Sequence, residues 1–127
     1  MLRGDEATFQ SVMQEIFASL YGALSEEERA RVALHAHPEQ DVVLGVWELV
    51  LTSSANDLDA LMRGALAAVA APYLALHGED PGDGYARWLQ SALPVASLEI
   101  WPGLGHYPHL VEPERFVDRV RRFTAET

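Results

Sequence analysis

The chain opens with apolar residues at spacings of three and four. Phe9, Val12, Met13, Ile16, Phe17, Leu20, Tyr21 and Leu24 form one wide stripe and predict a helix over about residues 6–23. Ser25, with Glu28 three residues on, has the form of a capping box. It predicts a second helix that runs to about His37 and stops before Pro38. Val42, Val43, Val46, Trp47, Val50 and Leu51 mark a third helix over about 40–52, with Gly45 inside it. Ser54, Asn56 and Asp57 then punctuate the chain, and Leu58, Leu61, Met62 and Leu66 define a fourth helix at about 57–68. Residues 1–69 therefore read as a helical block with short connections.

Residues 70–127 follow another pattern. Pro72-Tyr73-Leu74-Ala75-Leu76-His77-Gly78 is a short apolar run without alternation, as expected of a parallel strand covered on both faces. A polar loop (79–84) leads to a helix at about 83–92 carrying Tyr85, Trp88 and Leu89. A second strand is expected at about 97–101, then a glycine-flanked loop, then a closing helix at about 113–125 with Phe116, Val117, Val120 and Phe123. Strand, helix, strand, helix implies a right-handed parallel crossover and an α/β class. Two parallel strands make a very small sheet, and an open apolar edge invites pairing with another chain. The expectation is a partial fold that belongs to something larger or gains sheet partners by association.

Composition narrows the function. The 127 residues carry 19 acidic and 9 basic side chains, a net charge of -10. Such a surface repels phosphate backbones and anionic membranes, so neither nucleic acid nor membrane is expected as a partner. Arg115, Arg119, Arg121 and Arg122 share one helical pattern and read as a solvated face. With no cysteine, disulfides, thiolate catalysis and cysteine metal sites fall away. No apolar run approaches the ~18 residues of a membrane helix, and Met1-Leu2-Arg3-Gly4-Asp5-Glu6 lacks a signal-peptide layout, so a cytoplasmic location is the default expectation.

The candidate chemistry lies at the strand ends, where functional loops of open α/β sheets cluster. Asp80, with Glu79 and Asp83 nearby, follows the first strand; His106 follows the second. A carboxylate beside a histidine can orient the ring and stabilise its imidazolium, while the other ring nitrogen handles a nucleophile's proton.

The runs Pro72–Asp80 and Leu93–Trp101, and Gly103-Leu104-Gly105-His106-Tyr107-Pro108-His109-Leu110 with Pro113 and Phe116, resemble the C-terminal part of an α/β-hydrolase over about residues 70–125. The helical block resembles, by position and helicity alone, the lid that many of these enzymes insert ahead of the acid-bearing strand. The resemblance implies a partial α/β-hydrolase fold, His106 as catalytic base and a catalytic acid after the first strand. The family commonly places that acid three residues beyond the strand-terminal glycine, where this chain has Pro81. Asp80 is the preferred acid and Asp83 the alternative; His109 reads as a packing histidine.

The same resemblance exposes a gap. The superfamily's nucleophile sits in a Gly-x-Ser-x-Gly elbow, and none of Ser11, Ser19, Ser25, Ser53, Ser54, Ser91 or Ser97 occupies such a frame. Without nucleophile and oxyanion hole most transition-state stabilisation is lost, so negligible hydrolysis is expected of the chain alone. Either a complementary N-terminal polypeptide supplies the missing parts for a small apolar or ester-like substrate, with Met1 then an internal or shortened start, or the chain is a non-catalytic module that homodimerises or binds a ligand or protein. No cofactor is expected. His35 and His37, or His106 and His109, have no evident third partner for a metal, and Phe9, Met13, Phe17, Trp47 and Met62 read as helix-packing core before they read as a substrate pocket.

Overall fold

The computed structural model describes residues 3–126; Met1, Leu2 and Thr127, and with them the reading of Met1 as a start, lie outside the described residues. Four helices come first: α1 (Glu6–Leu20), α2 (Glu26–His35), α3 (Gln40–Thr52) and α4 (Ala55–Leu66). Then follow β1 (Tyr73–His77), α5 (Asp83–Ala92), β2 (Ala96–Ile100), a single-turn helix α6 (Pro108–Val111) and α7 (Pro113–Glu126).

Local chemistry explains most boundaries. Asp5 caps α1 by accepting from the Thr8 amide at 2.8 Å. Helix α1 ends three residues before the expected boundary because Gly22 turns the chain at φ 52°. At α2 the capping box is complete: the Ser25 hydroxyl accepts from the Glu28 amide, and the Glu28 carboxylate accepts from the Ser25 amide at 2.9 Å. Helix α4 starts earlier than the apolar pattern indicates, because Ser54 is its N-cap and accepts from the Asp57 amide.

The strands pair in parallel, Tyr73 opposite Ala96 through His77 opposite Ile100, and form a two-stranded sheet. The core beneath is Ala75, Leu89 and Leu93, with Leu66, Tyr85, Trp88 and Leu98 packed on it. Phe9, Met13 and Leu24 are buried in the helical half, and Trp101 is buried at the exit of β2. Burial of the expected strand is partial: Ala75 is inside, whereas Tyr73 is 44% exposed. Helix α3 is left bare, with Val42, Val46, Trp47, Leu49, Val50 and Leu51 exposed.

Two polar clusters join the layers. The Trp88 indole donates to Asp59 Oδ1, and Arg63 bridges Asp59 Oδ2 and the Ser91 hydroxyl, so α4 is tied to α5. Glu99 on β2 accepts from Trp101 Nε1 at 2.7 Å and from Arg119 Nε of α7 at 2.5 Å, while Arg115 stacks 3.9 Å above the Trp101 ring.

Candidate functional site

The loop bearing His106 leaves β2 and stays bonded to the exit of β1. The Trp101 amide donates to the His77 carbonyl at 2.7 Å, and the Leu104 amide donates to the Gly78 carbonyl at 3.0 Å. The first bond continues the parallel ladder past β2, and the second ties the histidine loop to the exit of β1, so the two exits run side by side. Gly103 (φ 83°) and Gly105 (φ 68°) supply left-handed turns that side chains disfavour. Between and after them the chain rises to an exposed His106 and descends into buried Pro108, the first residue of α6.

A third element completes the site. The carbonyl of Leu20, at the end of α1, accepts from the His106 amide at 2.9 Å. Together these elements enclose a cleft of about 340 Å3 lined by Ser19, Leu20, His77, Gly78, Glu79, Gly105, His106 and Pro108, among others. His106 therefore stands on a concave surface shared by the β1 exit, the β2 exit and the helical block.

Each expected residue has a definite place. His106 lines the cleft, and its ring meets Tyr107 edge-on, centroids 5.5 Å apart. Asp80 is exposed in the β1 exit loop; its Oδ1 accepts from the Gly82 amide at 2.8 Å, and among the described residues no hydrogen bond or ion pair joins it to His106. Its Oδ2 has no hydrogen-bond partner among the described residues. Asp83 is the first residue of α5, where a carboxylate favours the helix dipole. Glu79, rather than either aspartate, is the carboxylate on the wall of the cleft. His109 packs between rings, 6.1 Å from Tyr107 and 5.8 Å from Phe116, and so joins the loop to α7.

Burial raises the Tyr107 hydroxyl above its ordinary pKa, with a further push from Tyr21 at the end of α1. Burial does the same for Tyr85, which lies against the His77 ring. Among the described residues no group of three or more His, Asp or Glu side chains could hold a metal ion. No helix among them is long and apolar enough to cross a membrane. A second cleft, about 220 Å3, lies between α1 and α2 and is lined by Met13, Phe17, Tyr21, Ala33, Ala36 and Pro38, among others. Trp47 and Met62, in contrast, are each 46% exposed and neither core nor pocket.

Sequence reasoning did not anticipate the end of α1 in this site. Its link to His106 is a backbone carbonyl, and the one available signal was Gly22, which interrupts the apolar stripe where the helix must turn.

Comparison with known proteins finds partial similarity to ester hydrolases. The chain is 41% identical over 59 residues to a pimeloyl-[acyl-carrier protein] methyl ester esterase of Nitrosomonas europaea, a match that covers 44% of this chain and 23% of that enzyme. It is 29% identical over 105 residues to the enzyme of the same name from Nitrosospira multiformis, covering 80% of this chain and 37% of the relative. The chain thus spans well under half the length of these relatives. No family model matches, and no solved structure matches. The similarity supports a hydrolase-like lineage, and the helix-rich structure with its two parallel strands is compatible with part of an α/β fold.

Proposed function

We propose that this chain is the histidine- and acid-bearing part of an ester hydrolase, with the nucleophile supplied from outside these residues. The observation that carries the reading is the placement of His106: on a cleft, at the end of β2, beside the end of β1. Partial identity to two ester hydrolases gives that geometry a reaction. His106 would take the proton from an attacking hydroxyl and return it to the leaving alkoxide. An acid in the β1 exit loop would hold the ring; Asp80, with a free Oδ2, is the preferred residue and Asp83 the alternative. The helical block of residues 1–69 would cover the substrate, an ester with an apolar acyl part that could run along Met13 and Phe17.

No Gly-x-Ser-x-Gly elbow occurs in the sequence, so the chain alone is expected to leave p-nitrophenyl esters intact. The test is a chimera in which these residues replace the matched segment of the Nitrosospira multiformis esterase. It is expected to hydrolyse carboxylic methyl esters. A well-folded chimera without activity would overturn the reading.

A second reading has its own observation. Exposed Val42, Val46, Trp47, Leu49, Val50 and Leu51 on α3, together with the open edges of a two-stranded sheet, suit a module that self-associates. Sedimentation of the isolated chain tests it: a dimer supports association, and a monomer across the accessible concentrations sinks it.

A further inference from the structure

We propose that the turn closing α1, braced by Arg29, is the positioning element of His106, so that the first helix is a fixed wall of the site and not a part that swings free of it. The proposal rests on reading His106 as the working base.

Three glycines carry the contact. Gly22 (φ 52°) in the α1 turn and Gly105 (φ 68°) in the histidine loop meet backbone to backbone. A Cβ added at Gly22 would come within 2.5 Å of Gly105 Cα, and one added at Gly105 within 2.6 Å of Gly22 Cα. Real Cβ atoms do not approach backbone so closely, so any side chain here must push the two segments apart. Gly78, at the exit of β1, approaches the same residue: a Cβ there would overlap the Gly105 carbonyl oxygen. Gly105, one residue before the histidine, is thus in close backbone contact with both Gly78 and Gly22. The bond from the His106 amide to the Leu20 carbonyl closes the arrangement at 2.9 Å. The His106 amide is bonded directly to the Leu20 carbonyl, so a displacement of the turn moves the backbone that carries the imidazole.

The turn itself is held from α2. Arg29 Nε donates to the Leu24 carbonyl at 2.9 Å, and its Nη2 donates to the Gly22 carbonyl at 3.1 Å. A guanidinium suits this task because its planar fork reaches two carbonyls at a fixed separation, which a lysine ammonium does not reproduce. Arg29 touches nothing in the cleft. It acts through Gly22 and Gly105, and is a positioning residue.

The experiment uses hydrogen exchange and NMR on the full chain at fixed neutral pH, with no need for catalysis. In the unaltered chain the His106 amide is expected to be protected although its side chain is exposed. Gly22→Ala and Arg29→Ala are expected to speed its exchange by about tenfold and to move the His106 Cε1–Hε1 resonance, while the Trp101 amide, bonded to His77, and the His35 ring stay unchanged. Arg29→Lys should fall short of full rescue. Gly64→Ala, where an added methyl meets nothing within 4 Å, is the control and should leave His106 untouched.

If Gly22→Ala does not fold, Arg29→Ala on the protein surface decides the matter. An unprotected His106 amide in the unaltered chain, or an unmoved His106 in folded Arg29→Ala, overturns the proposal. Failure of the catalytic reading looks different: the amide and ring would respond as described, yet His106→Ala would leave the chimeric esterase active.

Discussion

The indole nitrogen of Trp88 donates to Asp59 Oδ1 at 2.5 Å, across the boundary between the last helix of the helical block and the helix that packs on the sheet. Arg63 adds its guanidinium to the other Asp59 oxygen and lies 5.8 Å from the Trp88 ring centre. Leu66 of α4 packs on the core that Leu89 of α5 helps to form, and this polar cluster adds directional bonds between the two helices. Trp88→Phe keeps the ring and removes the donor. Its melting temperature is expected to fall by a few degrees, on the order of one lost hydrogen bond in a domain of this size. An unchanged melting curve would show that the two halves are joined elsewhere.

Acid should loosen the molecule for a related reason. The hydrogen bond from Arg63, then that from Trp88, lowers the Asp59 pKa. The bond from Arg119 is the largest influence lowering that of Glu99. Each group is depressed in the folded state, so its stabilisation is complete above the unfolded carboxylate values, 3.8 for aspartate and 4.5 for glutamate. It is lost as the pH falls through the lowered folded values. Urea midpoints are therefore expected to be flat near neutrality and to drop below about pH 4.5. Glu99→Gln should flatten that drop; if its acid profile matches that of the unaltered chain, the Glu99–Arg119 pair does not govern it.

Arg119 holds α7 to β2 through that pair. Its side chain is 15% exposed, and it also lies 5.9 Å from the Phe123 ring centre. Arg119→Ala leaves Glu99 without its cation and is expected to cost about 1.5–3 kcal/mol, the usual loss for a hydrogen bond to a charged group. Arg119→Met, which keeps the stem packing, should recover part of this. Equal losses in the two variants would assign the effect to the lost ion pair alone, with no share for stem packing.

Gly45 and Gly64 stand inside helices α3 and α4, and an added methyl at either meets nothing within 4 Å. Replacement by alanine should stabilise the chain by roughly 0.5–1 kcal/mol each, because glycine loses more backbone freedom on folding. A destabilised Gly45→Ala would reveal that α3 is covered in solution, in line with association through its apolar face.

Much of this was legible in the chain. Apolar spacing places α1 to α4, and Ser25 with Glu28 marks the start of α2 because a capping box is a local, side-chain device. The parallel pairing of β1 and β2 follows from the intervening helix. Helix α6 was not legible: Pro108 starts it, but four residues are too few to show a period. Nor was the bareness of α3, since Val46 and Trp47 look the same in sequence whether something covers them or not. The candidate site divides along the same line. His106 and the carboxylates announce themselves as residue types at strand ends. The commitment of Asp80 Oδ1 to Gly82, the presence of Glu79 on the cleft and the approach of Leu20 to His106 depend on backbone geometry between distant segments.

The identity of the acid can be read in the chimeric esterase. Asp80→Asn is expected to lower kcat by about 100-fold or more, since the amide cannot stabilise the imidazolium. Asp83→Asn, at the start of α5, should stay within a few-fold of the parent. The reverse order would assign the acid to Asp83, and a loss confined to Glu79→Gln would assign it to the carboxylate on the cleft wall.

The most direct measurement is the methyl-ester hydrolysis rate of the folded chimera with and without His106→Ala. If His106 is the base, kcat should fall by roughly 1000-fold or more with little change in KM, as for removal of a group that acts only in the transition state. A His106→Ala chimera that keeps its parent's kcat would contradict the account.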